Sequence, residues 1–346
     1  MLARNSNILP SGLRHGAEAA RAVADSRALW LAGGPVAFAA AIRIKGANDG
    51  ERQDRQLAIE EIGADKRNII CSPRSDLAGV SLDAPRIMGI VNATPDSFSD
   101  GGAFADPEDS IDHGKALIAA GADFLDIGGE STRPDAEPVS VEIEIARVVP
   151  VIEGLKDAGV PLSIDTRNAA TMRAGIESGG AIVNDISALA HDPESPGTVA
   201  ELGVPVILCH SRGTPANMRE HANYKDVSLD VCAELRGSIE QAVAAGIVVD
   251  NILIDPGFGF AKKPEHNAQL LRELALLHGL GCAILVGASR KSFDRVASRA
   301  SSPAERLGAS LSAALAATDR GAQILRVHDV GETVQALAVR RAIIGT

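Results

Sequence analysis

Aromatic side chains are scarce in this chain. One Trp, one Tyr and seven Phe make up 3% of its 346 residues, so Ala, Val, Ile and Leu must fill the core. Cysteine is scarcer still: Cys71, Cys209, Cys232 and Cys282 are scattered and form no CxxC pair. That pattern excludes a zinc knuckle and a redox dithiol, and it is expected of a reduced, cytoplasmic chain. No run of 18 apolar residues is present, so no membrane-spanning helix is expected. Residues 1–16, MLARNSNILPSGLRHG, contain no apolar stretch of signal-peptide length. The most apolar segment near them, Leu29–Ile44, is broken by Gly33, Gly34 and Pro35 and predicts a strand–turn–strand. Net positive charge is also missing. Lys and Arg number 34 against 45 Asp and Glu, a formal charge of −11. Nucleic acid is therefore not expected as a partner, because its backbone demands a basic face. A local basic pocket for a small anion remains open.

What is present is the composition of a globular protein, 45% hydrophobic and 23% charged. Residues 1–84 differ from the rest. A helical spacing over Ala17–Leu29, the GGP turn and a polar run over Lys45–Gln56 predict a small N-terminal extension of undefined structure. It would pack against the main domain or an oligomer partner. From residue 85 a regular pattern runs to residue 346. Eight short apolar runs cover 87–93, 123–128, 161–166, 181–187, 205–210, 251–256, 283–289 and 324–329. Helix-patterned segments follow them at Ser110–Ala120, Val141–Asp157, Ala169–Ser178, Thr198–Leu202, Val227–Ala245, Glu265–Leu277, Pro303–Thr318 and Gly331–Ala342. The runs are almost continuously apolar, as in parallel strands buried on both faces. Eight strand–helix units predict a (β/α)8 TIM barrel. A doubly wound open sheet is the rival, but GIVNATP after the first run is not a dinucleotide-binding glycine fingerprint.

The informative residues close the strands. The runs end on Asn92, Asp126, Asp165, Asn184 with Asp185, His210, Asp255, Ser289, and Arg326 with His328. One such residue is more often a cap than a catalyst. Eight in the same structural place point to the mouth of a barrel, where active sites are built. Asp126, Asp165, Asn184 and Asp255 are acceptors suited to the N–H edge of a polar heterocycle. Arg133, Lys291, Arg326 and His328 are donors suited to a phosphate. The competing interpretation is that both sets pair with each other as a rim of ions. Two loops, NATPDSFSDGG (92–102) and GGESTRPDAEP (128–138), exceed the usual βα loop length and are lid candidates. Phe98 in the first would touch an aromatic substrate or pack on the rim. DPGFGFAK (255–262) is a weak phosphate-cradle signal, and Ser289 in GASRKS can help hold an anion but lacks a GxSxG elbow.

These motifs carry a specific resemblance. MGIVNATPDSFSDGG (88–102) and DIGGESTRP (126–134) resemble the two signature loops of the dihydropteroate synthase family. SIDT (163–166), NDIS (184–187), DPGFGFAK (255–262), SRKS (289–292) and RVHDV (326–330) resemble its remaining motifs, in order. The resemblance implies a pterin-binding TIM barrel that joins 6-hydroxymethyl-7,8-dihydropterin diphosphate to 4-aminobenzoate, with release of pyrophosphate. It implies pterin contacts at Asp165, Asn184, Asp255, Lys291, Arg326 and Cys209. It implies diphosphate contacts at Asn92, Thr132, Arg133, Arg326 and His328, with Mg2+ on Asn92. Aminobenzoate contacts fall at Phe98, Ser131, Pro134 and Ser289, where sulfonamides would compete. Asp126, Asp165, Lys291, Arg326 and His328 would carry the chemistry, and a homodimer is implied.

Charge neutralisation of the leaving diphosphate by Mg2+ and the cationic residues is the main catalytic effect to expect. Asp126 and Asp165 would stabilise the pterin methylene cation. The chain departs from the family pattern at Ala93, Ala261, Cys209, Ser211 and Asp135, none of which removes an assigned polar group. Two other functions compete. A corrinoid-linked pterin methyltransferase would have no use for the diphosphate set. A degenerate, non-catalytic paralogue would have lost some of Asn92, Arg133, Lys291 and His328, and all four are present.

Overall fold

The computed structural model describes residues 7–46, 52–94, 106–131, 139–214, 216–297 and 302–345. The first part of the chain builds an antiparallel sheet. Its strands are β1 (Asn7–Arg14), β2 (Leu29–Trp30), β3 (Ala37–Gly46) and β4 (Arg52–Ala58). β3 is central: β1 pairs along one edge from Asn7↔Ile44 to Arg14↔Ala37, while β2 and β4 pair along the other. The predicted strand–turn–strand is therefore β2 and β3, joined through a cis Gly34–Pro35 peptide. Helix α1 (Gly16–Ala24) and helix α2 (Ala64–Cys71) flank the sheet. α1 is shorter than its apolar spacing predicts, because the chain turns through Ser26 at φ 57°. β4, with the sequence RQDRQLA, begins within the polar, charged run Lys45–Gln56 and continues to Ala58.

The remainder is a closed barrel of eight parallel strands. In order these are β5 (Arg86–Asn92), β6 (Phe124–Gly128), β7 (Leu162–Asp165), β8 (Ile182–Asp185), β9 (Val206–Cys209), β10 (Ile252–Asp255), β11 (Ala283–Val286) and β12 (Ile324–Val327), with β12 pairing back onto β5. Each apolar run of the sequence is one of these strands, and the fold is a (β/α)8 TIM barrel with an N-terminal extension. The outer layer contains α3 (Pro107–Ala119), α4 (Val141–Leu155), α5 (Ala169–Glu177), α6 (Ser195–Leu202), α7 (Val227–Ala244), α8 (Pro264–Arg272), α9 (Leu307–Thr318) and α10 (Val330–Ile344). Local chemistry starts several of them. Asp106 caps α3 by accepting from the Glu108 N–H, with Pro107 beginning the helix, and Asp226 caps α7 by accepting from Ser228 and Leu229.

The segment predicted as one helix over Glu265–Leu277 divides. α8 stops at Arg272, and Leu274–Leu280 forms tighter 3-10 turns whose side chains are nearly all buried. Those turns receive the N-terminal sheet. Phe38, Ile44, Leu57 and Ile70 share one apolar core with Leu274, Leu276 and Leu277. Arg52 locks the seam, reaching Glu273 at 3.0 Å and Asp226 at 3.1 Å while it also holds Asp54 at 2.8 Å. Inside the barrel, Met88, Phe124, Ile182, Ile207, Leu253, Leu285 and Ile324 form a second apolar cluster with Leu77 and Leu82, from the segment that precedes β5. The extension is thus continuous with the structural core. Phe38 is fully buried, and Phe38→Ala should cost about 3–5 kcal/mol by losing transfer energy and leaving a cavity. Equilibrium urea unfolding followed by far-UV circular dichroism checks this; an unchanged midpoint would show that the sheet is an independent appendage.

Candidate active site

Residues two apart on a strand face the same side. That rule builds the site directly on the apolar interior. Two positions beyond Phe124, Ile182, Ile207, Leu253, Leu285 and Ile324 stand Asp126, Asn184, Cys209, Asp255, Gly287 and Arg326. On β7, Asp165 follows Ser163 in the same phase. A polar tier therefore lies above an apolar floor at the C-terminal ends of the strands.

Arg326 organises this tier. Its Nε donates to Asp126 Oδ2 at 2.5 Å and its Nη2 to Asp165 Oδ2 at 2.6 Å, so one guanidinium spans two carboxylates. Asn184 Nδ2 donates to the same Asp126 oxygen at 3.0 Å. The other Asp126 oxygen, Oδ1, is buried and has no protein partner. A buried acceptor without a donor is costly, and here it is available to a ligand N–H. Burial, with Asp126 close by, pushes the Asp165 carboxyl up to about 7 against the pull of Arg326. Burial tends to lower the Arg326 pKa, but Asp126 and Asp165 outweigh it and hold the guanidinium more firmly protonated than usual.

Asp255, Cys209 and Lys291 form the adjoining wall. A methyl group placed on Gly287 would lie 3.5 Å from Asp255 Oδ2, 3.9 Å from Lys291 Nζ and 4.0 Å from Arg326 Cδ. The missing side chain leaves the space that these three groups surround. Burial raises the Asp255 pKa, opposed by Lys291, and burial lowers that of Lys291, opposed by Asp255. Cys209 is fully enclosed, and burial lifts its thiol far above the usual range, so it acts as an apolar wall. Asp255 Oδ1 accepts from the Gly257 N–H at 2.7 Å, which fixes the carboxylate. Lys291 Nζ lies 4.5 Å from the centre of the Phe260 ring.

On the next arc, Ser289 Oγ lies 3.0 Å from His328 Nδ1 and accepts from the His328 N–H at 3.2 Å, which joins the exits of β11 and β12. Asn92 ends β5 opposite Gly128, and Ser131 follows β6 on the same side of the mouth. Phe98, Thr132, Arg133, Pro134 and the departure at Asp135 lie outside the described residues. The structure thus brings together Asp126, Asp165, Asn184 and Arg326 by direct bonds, and sets Asp255, Cys209 and Lys291 beside them.

Several participants carry no sequence signal of their own. Gly287 is one. Glu130, at the start of the second signature loop, and Arg167, after β7, form a bidentate, nearly buried ion pair at 2.9 and 3.0 Å. The turn after β10 depends on Gly257, which has φ +67°; a Cβ there would fall 1.9 Å from the His210 carbonyl oxygen. Gly257→Ala should therefore cost at least about 2 kcal/mol of stability, measured as a lower denaturation midpoint. An unperturbed midpoint would show that the turn relaxes freely.

The folded site defines an enzyme class first. A family model of pterin binding enzymes matches residues 88–328. Among curated proteins, the Escherichia coli K12 dihydropteroate synthase is 44% identical over 267 residues, which span 76% of this chain and 94% of that protein. A probable bifunctional folylpolyglutamate synthase/dihydropteroate synthase of Haloferax volcanii is 44% identical over 260 residues; the match spans 75% of this chain but only 31% of that longer protein. Among solved structures, the Xanthomonas albilineans dihydropteroate synthase with 4-aminobenzoic acid superposes with a TM-score of 0.73. It shows 47% identity and covers 79% of this chain and 99% of that one. The chain belongs to the pterin-binding enzymes and, within them, to the dihydropteroate synthase family.

Proposed function

We infer that this barrel condenses 6-hydroxymethyl-7,8-dihydropterin diphosphate with 4-aminobenzoate to give 7,8-dihydropteroate and pyrophosphate, a transferase step of folate biosynthesis. One observation carries the reading: an acceptor set, buried Asp126, Asn184 and Asp255 with the partly buried Asp165, surrounds the cations Arg326 and Lys291 at a barrel mouth. A pterin offers a row of N–H donors and ring acceptors that matches such a set. We assign pterin recognition to Asp165, Asn184, Asp255, Lys291 and Arg326, with Cys209 as apolar wall.

The diphosphate falls to Asn92, Thr132, Arg133, Arg326 and His328, and aminobenzoate to Phe98, Ser131, Pro134 and Ser289. Departure of the diphosphate breaks the methylene C–O bond, and both electrons leave with the oxygen. Asp126 and Asp165 face the positive charge that develops on the pterin methylene. The aniline nitrogen then forms the new C–N bond and releases one proton. Enclosure by the two signature loops would keep water from the cation.

Mg2+ fits this mouth as a substrate-borne ion. Among the described residues no cluster of three His, Cys, Asp or Glu could cage a metal, and the Asn92 carboxamide is a single hard oxygen donor. Mg2+ is commonly held in this way, by one or two protein oxygens plus substrate phosphates. When bound it supplies charge neutralisation of the leaving diphosphate. We take residues 1–84 as the extension and 85–346 as the catalytic domain, in a cytoplasmic homodimer. No helix among the described residues is long and apolar enough to cross a membrane.

The direct test incubates the protein with the pterin diphosphate, 4-aminobenzoate and Mg2+ and follows pyrophosphate. Release that depends on both substrates, and that a sulfonamide suppresses in competition with 4-aminobenzoate, is the expected result. Release without dihydropteroate would sink the reading.

Acidity gives a second test. Burial raises the Asp165 carboxyl to about 7, and its ionised form is the stronger acceptor for a pterin N–H beside the Arg326 fork. Binding therefore expels a proton below that pH, and pterin affinity should fall about tenfold from pH 8 to pH 6. Calorimetry in two buffers of different ionisation enthalpy reads both the affinity and the proton. Asp165→Asn should flatten the profile; a flat profile in the unaltered protein would remove Asp165 from the role.

A further inference from the structure

The scheme above gives no part to Lys262, yet its amine is buried and richly bonded. Lys262 closes the turn that begins at Asp255. Its Nζ lies 2.9 Å from His210 Nδ1, 2.9 Å from the Gly257 carbonyl oxygen and 3.1 Å from that of Phe260. The His210 carbonyl stands further away, at 3.4 Å. Three short contacts use the three hydrogens of an ammonium.

The acceptor role of His210 Nδ1 is set from its other side. His210 Nε2 is 2.9 Å from Glu234 Oε2. Burial would raise the Glu234 pKa, but hydrogen bonds from His210 and Arg212 pull it down to about 2, so Glu234 is a carboxylate. Burial draws His210 down to about 4, so the ring is neutral. A neutral ring facing a carboxylate through Nε2 must carry its hydrogen there, which leaves the Nδ1 lone pair for Lys262.

Each group that Lys262 holds acts on the pterin wall. The Gly257 N–H donates to Asp255 Oδ1 at 2.7 Å. The Phe260 ring lies 4.5 Å beneath Lys291 Nζ, a cation–π contact. The backbone of β9 continues into the same knot, because the His210 N–H donates to the Asp255 carbonyl at 2.9 Å. Burial pulls the Lys262 pKa down, against Cys209 and Asp255.

We propose that Lys262 is a positioning residue for pterin recognition. Through Gly257 and Phe260 it fixes the Asp255 carboxylate and the Lys291 amine in their working geometry, and Glu234, through His210, supplies the acceptor that Lys262 requires. The proposal rests on the pterin reading of this mouth and adds to it a set of residues that need not touch the substrate.

Two variants test it. Lys262→Met keeps the length and removes every donor. With it, the KM and calorimetric Kd for 6-hydroxymethyl-7,8-dihydropterin diphosphate should rise at least tenfold, while the KM for 4-aminobenzoate stays within twofold. Glu234→Gln alters a side chain that is 40% exposed and removes only its charge, leaving a neutral, weaker acceptor for His210 Nε2 and Arg212; far-UV circular dichroism checks its fold. This variant should raise the same pterin KM two- to fivefold and leave the aminobenzoate KM alone. Should Lys262→Met fail to fold, Glu234→Gln decides by itself. Unchanged pterin affinity in Glu234→Gln overturns the proposal, and so does a Lys262→Met protein in which both KM values rise together. The unaltered protein is titrated in parallel with the same pterin diphosphate. If it binds none, the pterin reading itself falls, and the positioning role with it; if it binds normally and the variants match it, only the positioning role falls.

Discussion

The strict alternation of side chains along a β-strand is the constraint on which this molecule depends. A barrel strand of four or five residues has only two or three inward positions. Here the lower one is apolar and the upper one carries chemistry, as in Phe124 and Asp126, Leu253 and Asp255, or Ile324 and Arg326. A one-residue slip on any strand would place a carboxylate or guanidinium against the helical layer, where Ile127, Ile254 and Leu325 now pack. The apolar floor therefore does more than close the barrel. It fixes the phase that delivers every polar residue of the tier to one height.

That tier would be unstable as isolated charges. Ionised groups in a closed mouth lose hydration that their neighbours must replace. The arrangement replaces it unevenly. Arg326 has two carboxylates on its fork, whereas Asp126 retains a buried oxygen with no donor and Asp165 is pushed towards protonation. The deficit is in hydrogen-bond donors, and a ligand edge rich in N–H groups makes it good. Lys291 faces Asp255 across the gap at Gly287, where a larger residue would fill the space. An incompletely satisfied polar cluster on a rigid frame is what pre-organisation of a binding site means in energetic terms.

The sequence was informative where function depends on position along a strand, and silent where it depends on contact across the fold. Apolar runs ending in Asp, Asn or Arg disclose both the barrel and its mouth, because the same few residues encode strand and site. The Arg326 fork joins residues 200 and 161 positions away, and no local pattern encodes that choice of partner over a free phosphate-binding arginine. Lys262 is visible in DPGFGFAK, but its three acceptors come from a turn and from another strand. The extension was harder to read for a different reason. β4 alternates little and is mostly exposed, since it pairs along one edge of β3 and buries chiefly Leu57. The break after Arg272 was hidden because Leu274–Leu280 keeps an apolar content that suits a helix equally well.

The closed strand order also divides the mouth into two arcs. β11, β12, β5 and β6 are neighbours, and at their exits stand Ser289, Arg326 with His328, Asn92 and Ser131, the described part of the set assigned to diphosphate and aminobenzoate. β7 through β10 run onward with Asp165, Asn184, Cys209 and Asp255, the set assigned to the heterocycle, and Lys291 follows β11. Arg326 rises from the first arc, and its guanidinium reaches Asp126 on β6 and Asp165 on β7, so it is tied to both. A bond that breaks between a pterin methylene and a diphosphate would break at the border of the two arcs. The group at that border is a cation already shared with the two carboxylates that would face the developing positive charge. In the proposed reaction, charge growing on the methylene would draw Asp126 and Asp165 towards it and Arg326 towards the departing oxygen. The fork that ties the two arcs together is thus the one whose loosening would follow that reaction, so recognition and chemistry would meet in the same three side chains.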